Sequence, residues 1–264
     1  MVSQSQIATD GKQRSSVIVR AFALLAIFFV SSSGRIFAFD LTSHISQYGH
    51  TVWRVQDGYF GGDVNGVTQT KDGYIWVGTQ TGLYKFDGVN FVRWSAPSGE
   101  ELPASAIWSL CAARDGSLWI GMDGGLARIV NNRLMVDHRN DGWRVWRIFE
   151  DKDGKIWFSR DRVDDRTHPI CQVLDTGVRC YGSEDGFDET SAVLAQDISG
   201  DLWSGGSTTL VRWRPGGSKV YRLDSLRFNC GNGGVNAVLP TADGYLWVET
   251  WNDTLRLDGV RFVP

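Results

Sequence analysis

Few of the side chains that commonly carry out chemistry occur in this chain, and they are scattered. The four histidines, His44, His50, His138 and His168, include no pair four residues apart and no His-Glu-x-x-His, so the usual helix-borne zinc site is not encoded. There is no Gly-x-Ser-x-Gly nucleophile elbow and no phosphate-cradling P-loop. Asp151-Lys152-Asp153-Gly154 opens like a calcium loop, but the twelfth position, which needs a bidentate Glu, is Arg162. That stretch reads as turn chemistry. Asp161, Asp164 and Asp165 alternate with Arg160, Arg162 and Arg166, a solvated mixed-charge loop rather than a metal site. No cofactor and no catalytic residue is expected. The chemistry that remains is binding by aromatic rings, arginines and amides, and its geometry depends on the elements that hold those side chains.

Those elements repeat. Asp-Gly-x-(Ile/Leu)-Trp occurs at Asp72–Trp76, Asp115–Trp119, Asp153–Trp157 and Asp243–Trp247, with a degenerate copy at Ser199–Trp203. The tryptophans are spaced 43, 38, 46 and 44 residues apart. Asp-Gly accepts the positive φ of a tight turn, and the apolar run after it suits a strand. A second half recurs as Gly82-Leu83-Tyr84-Lys85-Phe86-Asp87-Gly88, Gly125-Leu126-Ala127-Arg128-Ile129, Thr209-Leu210-Val211-Arg212-Trp213 and Thr254-Leu255-Arg256-Leu257-Asp258-Gly259. An all-β unit at this period points to propeller blades.

The repeat resembles that of the two-component regulator propeller family. Trp76-Val77-Gly78-Thr79 with Gly82 to Asp87, and Trp119-Ile120-Gly121 with Gly125 to Arg128, carry the resemblance, which covers roughly residues 50 to 264. It implies a periplasmic sensor region that precedes a membrane span and a histidine kinase, a diguanylate cyclase or a DNA-binding output module. It also implies sensing of extracellular nutrients, glycans included. The output part is expected outside this chain, which on this reading cannot signal alone.

The fold expected is an all-β propeller of about five four-stranded antiparallel blades, an incomplete or truncated ring, spanning residues 39–264. Inner strands are drafted at Val64–Gln69, Ala106–Ala112, Trp143–Phe149, Ser191–Gln196 and Val235–Leu239, and fourth strands end each blade, the last at Arg261–Val263. Each repeated Trp is expected to pack between neighbouring blades, where a large ring buries much apolar area. Thr51–Gln56 reads as a surplus outer strand, or else as a cap on an edge. An incomplete ring would expose two apolar blade faces, so self-association or pairing with further blades is expected.

One end of such an array gathers the loops between second and third strands and those entering each blade, and loops of this kind tend to carry function. Asn65, Gln80, Asp123, Trp143, Arg144, Arg160, Trp251 and Asn252 fall there. Aromatic plates beside Arg, Asn and Asp suit a small-molecule ligand such as an oligosaccharide or another polar, partly acidic metabolite.

Residues 1–38 have a basic start, ten apolar residues at Ala21–Val30 and a small-residue exit near Ala38. This is the layout of a secretory signal peptide. Ten residues rise about 15 Å, half a hydrocarbon core, so membrane attachment is expected only if this segment stays uncleaved. The mature chain is then periplasmic or extracellular. Its removal takes away four cations and one acid, leaving 23 Lys plus Arg against 29 Asp plus Glu, a net charge of −6. That balance argues against nucleic acid as a partner. Cys171 and Cys180 flank a turn at Asp175–Gly177; with a four-residue loop they stand opposite each other at disulfide distance, and a one-residue slip would separate them. Cys111, on an inner strand, reads as a small buried hydrophobe.

Three functions follow: a non-catalytic ligand-sensing module of a two-component-type receptor, an interaction scaffold, or an enzyme like the antibiotic-inactivating lyases that use similar repeats with an essential His and acids around magnesium. None of the four histidines lies in a drafted inner strand or among the eight candidate residues, which favours the first.

Overall fold

Each blade is set by a glycine turn, Asp-Gly in four blades and Ser199-Gly200 in the fourth. Gly73, Gly116, Gly154, Gly200 and Gly244 all sit three residues before the repeat tryptophan with φ between 83° and 89°, a left-handed conformation that costs glycine nothing. The chain that follows has no choice but to turn back on itself, and the tryptophan enters the second strand of the blade. In three blades its indole N–H finds an acceptor in that same turn: Thr70 Oγ1 at 3.0 Å for Trp76, Asp151 Oδ2 at 2.9 Å for Trp157 and Asp197 Oδ2 at 2.9 Å for Trp203. The ring can therefore be buried without stranding its donor.

The computed structural model describes residues 51–137, 142–162, 167–187, 192–223, 234–250, 252–257 and 262–263. The proposed signal peptide, Trp251, Cys230, His44, His50, His138 and Asp164 to Arg166 lie outside them. The chain divides at Val52, and every strand among the described residues lies in the unit that begins at Trp53.

That unit is built of five antiparallel four-stranded sheets, each a meander in sequence order. The first blade comprises β1 (Val64–Gln69), β2 (Ile75–Thr79), β3 (Gly82–Phe86) and β4 (Phe91–Arg93). The second comprises β5 (Ile107–Ala112), β6 (Leu118–Met122), β7 (Gly125–Val130) and β8 (Arg133–Asp137). The third comprises β9 (Arg144–Glu150), β10 (Ile156–Asp161), β11 (Ile170–Leu174) and β12 (Gly177–Tyr181). The fourth comprises β13 (Val193–Gln196), β14 (Leu202–Gly205), β15 (Thr209–Arg214) and β16 (Gly217–Arg222). The fifth comprises β17 (Val235–Pro240), β18 (Leu246–Thr250), β19 (Thr254–Leu257) and β20 (Phe262–Val263). The all-β propeller architecture read from the repeat is thus the one observed.

The core is a set of layers between blades. Trp76 and Leu83 of the first blade pack with Ile107, Ile120 and Met122 of the second. Trp119 and Leu126 pack with Val145, Ile156 and Phe158, Trp157, Ile170 and Tyr181 with Leu202, Val211 and Trp213, and Trp203, Leu210 and Leu223 with Leu246, Val248 and Leu255. Side chains alternate across a strand, so each blade has a leading face toward the blade before it and a trailing face that carries its tryptophan. A cation from the third strand stacks on four of these rings: Lys85 on Trp76, Arg128 on Trp119, Arg212 on Trp203 and Arg256 on Trp247, at 5.0–5.9 Å. Among the described residues no apolar layer joins the fifth blade to the first.

Two expectations are corrected. Trp76, Trp119, Trp157 and Trp203 are between 2 % and 8 % exposed, but Trp247 is 36 % exposed, because among the described residues no blade covers the trailing face of the fifth. Thr51–Gln56 is not a strand: Val55–Asp57 form a single 3-10 turn closed by the Gly58 amide on the Val55 carbonyl. Trp53 instead packs edge-on against Phe86 and Phe91, and Phe60 against Tyr84 and Phe91. The segment caps the outer part of the first blade's leading face with rings, while Val67 on its inner strand stays 62 % exposed.

Cys171 and Cys180 are disulfide-bonded across the β11–β12 hairpin, with Val173 opposite Val178. Cys111 is free and half-buried against the layer between blades two and three. Burial, and then the nearby Glu150 carboxylate, push its thiol from the ordinary 9.0 up to about 11.

Candidate functional site

Four of the five inner strands carry a β-bulge at one equivalent place. The register slips between Val64 and Gly66, Ile107 and Ser109, Val145 and Arg147, and Val235 and Ala237. The extra residues are Asn65, Trp108, Trp146 and Asn236. Each lies eleven positions before the tryptophan of its own blade: 65 and 76, 108 and 119, 146 and 157, 236 and 247. A bulge re-aims its side chain out of the ladder, so the repeat presents a polar or aromatic residue at the same corner of each of these blades.

At the junction of blades two and three these residues meet. The Trp108 and Trp146 rings lie 4.9 Å apart, tilted by 50°. Arg144, the first residue of β9, places its guanidinium 4.9 Å from the Trp146 ring and 5.4 Å from that of Trp108. Asp123, in the turn between β6 and β7, ties the group together: its Oδ1 accepts from Trp108 Nε1 at 2.8 Å and from Arg144 Nε at 2.6 Å. All four side chains are partly exposed. Both rings are held at fixed angles, and Arg144 is anchored through Nε, which leaves the terminal nitrogens of its planar fork to offer an anion. Nearby, Arg160 stacks on Trp143 at 3.8 Å and Arg162 at 5.6 Å. The junction thus presents aromatic plates rimmed by arginine.

Of the residues picked from sequence, Asp123, Arg144, Trp143 and Arg160 fall in this region. Asn65 instead donates its amide to the Ile107 carbonyl at 2.9 Å, tying blade one to blade two. Gln80 is exposed and reaches Asp63 only at 3.5 Å. Asn252 is exposed in the turn between β18 and β19, and Trp251 lies outside the described residues. The sequence reading missed Trp108, Trp146 and Asn236; the constant eleven-residue offset from the repeat tryptophan was the signal that would have found them.

A separate cleft lies elsewhere. It encloses about 1080 Å³ between the outer strands of blades two and three, with Trp119, Met135 and Leu174 on its walls and Arg114, Lys152 and Asp175 at its rim. Two smaller clefts occupy the same kind of place between blades three and four and between four and five. Such gaps follow wherever wedge-spaced blades diverge, so size alone does not make this one the binding site. Within it Asp115 pairs with Arg128. Burial raises the Asp115 pKa, but bonds from the Ser117 hydroxyl and amide, with the Arg128 charge, outweigh that and hold it below the usual carboxylate value. His168, two residues before β11, contacts Glu184 at 2.8 Å. Among the described residues no group of three His, Cys, Asp or Glu side chains is placed to hold a metal ion, and no helix is long and apolar enough to cross a membrane.

The family profile described as Two component regulator propeller matches residues 58–81 and 101–124, so the chain carries repeats of that type at its first two blades. No curated protein matches significantly. Among solved structures, the extracellular domain of what is described as a hybrid two component system from B. thetaiotaomicron superposes with a TM-score of 0.62 at 18 % identity, covering 76 % of this chain and 28 % of that one. A second extracellular domain from B. thetaiotaomicron, described as belonging to a one component system, gives 0.60 at 20 % identity, with 75 % and 30 % covered. Virginiamycin B lyase from Staphylococcus aureus, solved in a catalytically inactive form with quinupristin, gives 0.58 at 15 % identity, with 76 % and 68 % covered. The chain therefore spans under a third of the two extracellular domains, and at these identities the likeness is one of fold.

Proposed function

We propose that residues 53–264 are an extracytoplasmic, non-catalytic ligand-sensing region of a two-component-type receptor, and that the ligand binds at the junction of blades two and three. The observation that carries the reading is the Trp108–Trp146–Arg144–Asp123 group. Two rings set at a fixed angle offer apolar faces to a sugar or another flat ring, and a guanidinium anchored at one end offers charge-assisted hydrogen bonds to an acidic substituent. Repeats of the two-component regulator type in the first two blades, and the fold shared with extracellular domains of such systems, support placing this module outside the cytoplasm. The signal-peptide layout of residues 1–38 supports export.

The reading is tested by thermal denaturation of the exported chain against a panel of neutral and acidic oligosaccharides. A ligand that binds only the folded state raises the midpoint in proportion to its occupancy. A saturable rise with an acidic member is the expected result. A panel without any shift removes the ligand-sensing reading and leaves an interaction scaffold. The lyase reading draws on shared fold, and turnover of quinupristin by this chain with magnesium would establish it instead.

A further inference from the structure

The trailing face of the fifth blade departs from the other four at one position. Two residues after the repeat tryptophan stand Gly78, Gly121, Ser159 and Gly205 in blades one to four. The inner strand of the next blade comes so close there that a side chain has no room. A Cβ on Gly78 would lie 2.6 Å from Ile107 Cγ2, one on Gly121 2.8 Å from the Val145 carbonyl oxygen, and one on Gly205 2.5 Å from Val235 Cγ1. Ser159 uses its hydroxyl to bond the Ala192 carbonyl at 2.6 Å. In the fifth blade this residue is Glu249, and it is exposed. Around it the face keeps the apolar character of a blade interface: Trp247 is 36 % and its cross-strand partner Leu239 62 % exposed, and Arg256 stacks on Tyr245 at 4.6 Å.

We propose that this face docks a further blade of the same repeat that carries a lysine or arginine where blades two, three and five carry Ile107, Val145 and Val235. Four interfaces inside the chain show what covers such a tryptophan: the apolar leading face of another blade. Glu249 selects among blades. An aliphatic inner strand would bury its carboxylate unpaired, which is strongly unfavourable; a basic residue would pair with it and take up the extra width. The same rule turns away this chain's own first blade, whose residue at that place is Val64, and whose leading face is already capped in part by Trp53 and Phe60. Closure of the five blades on themselves and head-to-tail stacking of copies are both disfavoured by the one carboxylate.

The test extends the full chain past Pro264 with a copy of its own residues 99–142, the second blade. Leu239→Cys reports coverage of the face through its rate of maleimide labelling, with Cys111→Ser in chain and copy and Cys230→Ser in the chain so that neither of the two cysteines outside the disulfide contributes. Three versions are compared: the copy as it stands, the copy with Ile107→Lys, and the unchanged copy with Glu249→Gly in the chain. Labelling tracks the fraction of time the face is open, so a slowing of about tenfold is expected with the lysine copy and with Glu249→Gly, and less than about twofold with the unchanged copy. Equal slowing by the unchanged and lysine copies, or no slowing by either, overturns the proposal. Labelling of the unextended chain that slows as its concentration rises also overturns it, since a second copy would then be the occupant.

Discussion

Replacing the five equivalent tryptophans by alanine, one at a time, should divide them four to one. Trp203 is 2 % exposed, stacks on Tyr221 at 5.8 Å, lies under Arg212 and donates to Asp197. Its removal empties a site walled by two blades, and core Trp→Ala changes cost about 3–5 kcal/mol. Loss of the indole donor adds little, because Asp197 keeps the backbone amides of Ser199 and Asp201. Trp247 keeps the stacked arginine of its own blade, Arg256, but among the described residues no second blade faces it. Its truncation leaves no cavity, only a smaller loss of partly buried area, so about 1 kcal/mol is expected. Urea unfolding with an unchanged slope measures both differences. A loss below about 1 kcal/mol at Trp203, or one of about 3 kcal/mol or more at Trp247, would refute the layered account of the core.

The Cys111 thiol, held near 11 against an ordinary 9.0, should alkylate at pH 8 about 100-fold more slowly than an unperturbed thiol, since only the thiolate reacts; a rate within about threefold of a free cysteine peptide would show that the site is not shielded. Asp115 has a lowered pKa, so its contribution to stability is present above the unfolded carboxylate value and fades as pH falls through the folded one. Asp115→Asn should accordingly weaken the fold at pH 7 and make no difference in strong acid, and a deficit that is constant across that range would contradict this. Removing the disulfide with Cys171→Ser and Cys180→Ser opens a loop of nine-residue separation and should cost about 2–3 kcal/mol on the chain-entropy estimate, read from the shift in the denaturation midpoint.

The blades were legible because the signals for them are local. A glycine turn three residues ahead of a tryptophan, Asp-Gly in four blades and Ser-Gly in one, fixes a reversal whatever surrounds it, and the strands of the five blades follow from these reversals with their partners. The bulges were not legible from strand propensity, because an extra residue shows only when two strands are set side by side; Trp108 and Trp146 look like ordinary strand residues until they are aligned on Trp119 and Trp157. Thr51–Gln56 misled because Thr-Val-Trp-Arg-Val-Gln alternates like a strand but has no partner edge to pair with. Trp53 is satisfied by the rings of Phe86 and Phe91 instead. Asn65 stands at the bulge of its inner strand, and its amide is spent on the neighbouring strand, a contact that only the packing of two blades can reveal.

The binding site at the junction of blades two and three is tested most directly by calorimetric titration of the exported chain and of its Trp146→Ala variant with the acidic oligosaccharide that raises the midpoint most. Stacking on one aromatic plate is worth roughly 1–3 kcal/mol, so the variant should bind about 5- to 150-fold more weakly while unfolding at nearly the same denaturant concentration. Equal affinity in the two proteins, or a loss found on Gln80→Ala and not on Trp146→Ala, would place the ligand elsewhere and contradict the account.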